Sequence, residues 1–80
     1  MAKNKTRETT PDPFSQLYPN VAGWALDGWV EIGPTDWTKS FIRVMDIGGT
    51  VWEGKRTYSS VHEALLAADA AIAAYIEVNG

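Results

Sequence analysis

Few side chains in this 80-residue chain are equipped for chemistry: one histidine, ten carboxylates and four tryptophans, with no cysteine at all. His62 needs a serine or threonine brought to it before it can serve as a general base. The serines nearest in sequence, Ser59 and Ser60, have another use, because Ser60-Val61-His62-Glu63 spells a helix capping box. The carboxylates are scattered. Asp36 and Asp46 suit turns, Glu63 suits the capping box, and Glu31 and Glu53 fall in strand-like runs. No acidic residues alternate toward a terminal glutamate, as a calcium loop requires. Gly48-Gly49 joins two apolar runs and does not open a helix, so it is no phosphate cradle. The chain is therefore expected to be no enzyme, with no catalytic residue, metal or cofactor.

The tryptophans are left, and they bear on binding. Trp29, Phe41, Arg43 and Met45 alternate with other residues along two runs read as strands, and alternation puts them on one sheet face. Aromatic and methionine side chains around an arginine have the make-up of interface cores. These four are the expected partner-binding residues, for another protein or for a second copy in a homodimer. The alternative occupant of that face is the chain's own arm, with Phe14, Leu17, Tyr18 and Trp24.

The elements that must position these residues follow from periodicity. Trp29 to Ile32 alternates between Gly28 and the Gly33-Pro34 breaker and reads as a strand. Phe41 to Asp46 and Thr50 to Glu53 read as the second and third strands. Ile47-Gly48-Gly49 between them suits a three-residue hairpin loop, with Gly49 left-handed. That loop sets Arg43 opposite Glu53, Val44 opposite Trp52 and Met45 opposite Val51. Val30, Ile32, Ile42, Val44 and Trp52 then face inward, while Trp29, Glu31, Phe41, Arg43, Met45, Val51 and Glu53 face outward. After the capping box, Val61, Leu65, Ala68, Ile72, Tyr75 and Ile76 make one apolar stripe at helical spacing, and Asn79-Gly80 is a natural stop. Leu17, Val21 and Trp24 also fall at helical spacing, with Pro19 fit for a first turn and Gly28 for an end. Residues 1–13 are polar and aperiodic and read as a disordered tail. The expected fold is α+β: a three-stranded antiparallel meander against a C-terminal amphipathic helix, in the order α-β-β-β-α, as one domain over 14–80.

Composition bounds the setting. Hydrophobic residues are 45% and charged residues 21% of the chain, a globular balance. Without cysteine there is no disulfide or thiolate metal site, and a cytoplasmic location is expected. The basic residues near the start are not followed by an apolar run, so no secretory signal is expected. The longest mainly apolar stretch, Ala64 to Ile76, is interrupted by Asp69 and too short for a bilayer. Net charge is −3. Lys3, Lys5 and Arg7 make the tail slightly basic, which leaves the folded part acidic and repellent to a phosphate backbone. Nucleic acid is thus not the expected partner. The only basic group for it is Lys39, Lys55 and Arg56 near one end of the sheet, with the tail.

Gly28-Trp-Val-Glu-Ile-Gly33, Ser40-Phe-Ile-Arg-Val-Met-Asp46, Gly49-Thr-Val-Trp-Glu-Gly54 and Tyr58 through Leu65 together resemble a set of small uncharacterised bacterial proteins, over most of residues 18–78. That resemblance implies a recurring domain and carries no activity. Thr50 to Gly54 with Tyr58 to Leu65 is also similar in shape to the third strand and helix of ethylene-response-type DNA-binding domains. The element order resembles double-stranded-RNA-binding domains, and the strand-then-helix ending resembles HicB-type antitoxins. The leading expectation remains a non-catalytic protein–protein interaction module, with weak nucleic-acid binding as the alternative.

Overall fold

The computed structural model describes residues 12–79. Two short helices, α1 (Pro13–Leu17) and α2 (Pro19–Trp24), lead into strands β1 (Trp29–Ile32), β2 (Ile42–Asp46) and β3 (Gly49–Glu53), and the long helix α3 (Val61–Asn79) comes last among the described residues. The strands form one antiparallel sheet in the order β1-β2-β3, so the α+β meander with its C-terminal helix is the observed fold.

The N-terminal arm is helical but broken once. Tyr18 sits before Pro19, and the proline ring disfavours helical backbone in its predecessor, which takes φ −132° and ψ 66°. Helix α1 begins at Pro13 and is capped by Asp12, whose carboxylate accepts from the Ser15 amide. Asp12 and Pro13, within the stretch expected to be tail, thus belong to a capped helix; the rest of that stretch, residues 1–11, lies outside the described residues. Gly28 acts less as a helix stop than as a point of close approach. A Cβ there would lie 2.6 Å from both the Met45 carbonyl oxygen and the Trp24 indole nitrogen.

The sheet register holds at Arg43–Glu53 and Val44–Trp52 and departs beyond them. Met45 pairs with Thr50, not Val51, because a bulge between Val44 and Met45 skips one residue of β3. The loop is correspondingly shorter than expected: Asp46 pairs with Gly49, leaving Ile47-Gly48 as the turn. Gly49 does take a positive φ, +122°, but as the first residue of β3. The bulge moves Val51 from the outer face, where alternation placed it, to a packing position against the core.

That core lies between the sheet and α3. Ile42 and Val44 from β2 meet Ala64, Leu65, Ala68 and Ile72 from α3, and the arm adds Tyr18 and Val21. Ala64 and Ala68 are fully buried, and their short side chains bring the helix close to β2. The capping box forms on its serine side, with the Glu63 amide donating to Ser60 Oγ over 3.1 Å. Ile32 was expected beneath the helix but is exposed, since β1 is an edge strand and α3 packs on β2. No helix among the described residues is long and apolar enough to cross a membrane.

The arm packs on α3 and does not cover the outer sheet face. One residue of α3 fastens it. The Asp69 carboxylate accepts from the amides of Asn20 and Val21 at 2.7 and 2.9 Å and from the Asn20 side chain at 3.1 Å. These amides are orphan donors in the first turn of α2, so a carboxylate from another helix supplies the missing cap. Tyr18 adds a second fastening, its hydroxyl 2.6 Å from His62 Nδ1 in a hydrogen bond. His62 thus has a structural partner on the arm.

Candidate docking groove

The four residues expected at a contact face are placed very differently from one another. Arg43 is only 3% exposed and is a structural clamp, which corrects its assignment to an open surface. Its Nη2 donates to the Gly33 carbonyl at 2.7 Å, its Nη1 to the Ser40 carbonyl at 2.8 Å and hydroxyl at 3.0 Å, and its Nε to Glu31 at 3.1 Å. Gly33 and Ser40 lie near the two ends of the β1–β2 connection, so the guanidinium ties that loop down onto the outer face and is covered by it. Phe41 lies just outside β2. It is half-buried against the core with its ring 6.2 Å from that of Tyr58. Met45 is half-buried, its sulfur accepting from the Thr50 hydroxyl. Trp29 alone is open, at 44%, with its indole donating to Glu31.

The outer face therefore carries a polar chain instead of an apolar patch. It runs from Trp29 through Glu31 and Arg43 to Ser40, then to Thr38, whose hydroxyl donates to Glu53 on β3. Both Arg43 and Trp29 stabilise the Glu31 carboxylate, holding its pKa below the usual glutamate range, with the Arg43 bond the larger cause. The loop itself is ordered by Thr35, whose hydroxyl accepts from the Trp37 and Thr38 amides at 3.1 and 3.2 Å. The tip of this braced loop is Trp37, 93% exposed.

Open apolar surface collects at the opposite end of the sheet. A groove of about 450 Å³ is lined there by Pro19, Asn20, Gly23 and Trp24 of the arm, Asp27 and Gly28, Asp46 and Ile47 at the hairpin, and Ile76 of α3. The sequence explains each wall. Helix α3 has 19 residues against five in β2, so its last turns outrun the sheet and leave the end of its apolar stripe partly uncovered. Ile76 is 48% exposed for that reason, and Ile47 at the turn is 98% exposed. Trp24 is fixed between them. Its indole donates to the Met45 carbonyl at 2.8 Å and its ring meets Tyr75 edge-on at 5.7 Å.

The groove's charge has one sign. Asp27 and Asp46 line it and, among the described residues, no cation does. The last turn of α3 has no basic residue either, so the negative end of the helix dipole is left uncompensated there. The exposed cations among the described residues lie at the other end: Lys39 follows Trp37 in the loop, while Lys55 and Arg56 follow β3, with Lys55 Nζ 4.9 Å from the Tyr58 ring centroid. Among the described residues no cluster of three His, Cys, Asp or Glu side chains could hold a metal ion. Ile47 and Ile76 were not singled out for contact by the sequence, although a bulky apolar residue in a Gly-rich turn was a usable signal for the first. Comparison of the chain with family models, with curated proteins and with solved structures returns no match.

Proposed function

We propose that the chain is a non-catalytic interaction module whose hairpin-end groove takes a protein segment presenting a large apolar side chain beside a lysine or arginine. The observation carrying this reading is the groove's composition. Trp24, Ile47 and Ile76 offer apolar walls, and Asp27 and Asp46 give the rim a single charge. Its volume of about 450 Å³ is that of pockets that enclose ligands or anchor side chains. Exposed apolar residues grouped around a concave surface are commonly contact sites, and complementary charge selects the partner. This reading keeps the interaction module expected from the sequence and proposes this groove, in place of the outer sheet face, as its contact surface.

The test is an NMR titration of isotope-labelled protein with short peptides that pair a central Trp or Leu with Lys or Glu two residues away. Cationic peptides should shift the Trp24 indole and the Ile47 and Ile76 methyl resonances, and Glu-bearing peptides should not. Silence toward every peptide would sink the reading. A second reading, single-stranded nucleic acid, is favoured by one observation: Trp37, Lys39, Lys55 and Arg56 share the loop end of the sheet, and an exposed ring with cations can stack bases. Low-salt titration with single-stranded DNA and RNA tests it, and a shift of Trp37 fluorescence that disappears with added salt would support it.

A further inference from the structure

We infer that the segment received by the groove is the Trp37-Thr38-Lys39 loop tip of a second copy, so that the chain associates head to tail. This deepens the interaction-module reading and rests on it. Two features at opposite ends of the sheet complement each other. At one end, a tryptophan 93% exposed is held out on a loop braced by Thr35 and by the Arg43 clamp. Lys39 stands two residues beyond it, exposed and, among the described residues, in no ion pair, while the exposed Asp36 directly precedes the tryptophan. At the other end lies the groove, with an indole and two isoleucines for the ring and Asp27 and Asp46 for the ammonium.

Rigidity is the second argument. A flexible loop would lose its freedom on docking, whereas this one is already ordered by hydrogen bonds at its base and within its turn, so less affinity is lost to ordering. Tryptophan is the residue type most often found to dominate contact energies. The two sites cannot meet within one molecule, because the sheet's length separates them. They also differ from each other, so the contact is heterologous and propagates unless the rotation closes a ring.

Two variants at exposed positions, Trp37→Ala and Ile47→Asp, test this without disturbing the core. Sedimentation equilibrium of the wild-type chain should show a mass that grows past the dimer with concentration, more so at low salt. Each variant alone should associate at least tenfold more weakly. Mixed in equal amounts they should form a dimer and nothing larger, because Trp37→Ala still offers a groove and Ile47→Asp still offers a tryptophan. Lys39→Glu should weaken the wild-type series. A wild type that stays monomeric throughout, a Trp37→Ala variant that associates like wild type, or a mixture that stays monomeric would each overturn the inference. If the wild type is monomeric yet cationic peptides still shift the groove resonances, the self-partner fails while the interaction-module reading survives. Silence in both experiments removes both.

Discussion

Arg43 shows how much one buried charge can organise. Four donated bonds reach β1, Ser40 and the start of the loop, and its one ion pair among the described residues is with Glu31, which is partly open to water. Screening weakens the pair, so most of the stabilisation comes from the bonds to the Gly33 and Ser40 carbonyls. Arg43→Ala should cost about 3 kcal/mol by urea unfolding, from leaving these groups unpaired. Arg43→Lys should recover little of it, since an ammonium cannot span carbonyls on two sides at once. A separate consequence concerns pH. The folded Glu31 carboxyl titrates below its ordinary value, so its contribution is complete above the usual glutamate pKa of about 4.3 and is lost as pH falls through the lower folded value. In Glu31→Gln, urea midpoints should fall less steeply over that acid range than in wild type. At this scale the sequence was hard to read. Alternation correctly put Arg43 on the outer face, but nothing in it says that a nine-residue connection will fold back and bury the guanidinium. Phe41 shares that lesson, and Phe41→Asp should lower stability because the ring packs on Tyr58 and the core.

Elements were more legible, for physical reasons that differ among them. Helix α3 carries a cap, a stripe and a 19-residue run rich in alanine, leucine and glutamate, so local and tertiary preferences agree. Strand β1 is bounded by glycines and matches its expected limits residue for residue. The hairpin was misjudged by one residue because two adjacent glycines fit either a three-residue loop or a two-residue turn with a compensating bulge, and only packing of Val51 decides. Asp69 was equally hidden, since an acidic residue beside a helix stripe normally faces solvent. Its importance appears only when the arm folds back to within bonding distance. Asp69→Ala should lose about 2 kcal/mol and weaken the near-ultraviolet signals of Tyr18 and Trp24, while far-ultraviolet helix content stays nearly constant. An unchanged near-ultraviolet spectrum would mean the arm holds without it. Gly28→Ala should destabilise by another route, because the new methyl collides with the Trp24 indole and the Met45 carbonyl.

Over the whole molecule, the arrangement of charge says more than its sum. The net value of −3 describes neither end. Asp27 and Asp46 line the groove at the hairpin end, while Lys39, Lys55 and Arg56 share the loop end with Asp36 and Glu53. A contact between the groove carboxylates and Lys39 of another copy should be strongest in dilute buffer and weaken as the screening length drops from about 30 Å at 0.01 M salt to about 8 Å at 0.15 M. The candidate groove was legible only in part. Trp24 and Ile76 had helical periods, but the overhang that uncovers them depends on the relative lengths of helix and sheet, which no single segment encodes.

The bulge in β3 has one more effect. A meander of three strands has two free edges, each a row of unpaired amides and carbonyls on which a foreign strand could template itself. On one side β1 offers just four residues before Gly33-Pro34 closes it off. On the other, the extra residue between Thr50 and Trp52 interrupts the regular spacing a neighbour would need. The irregularity that sends Val51 to the core therefore also makes that edge a poorer template for amyloid-like growth.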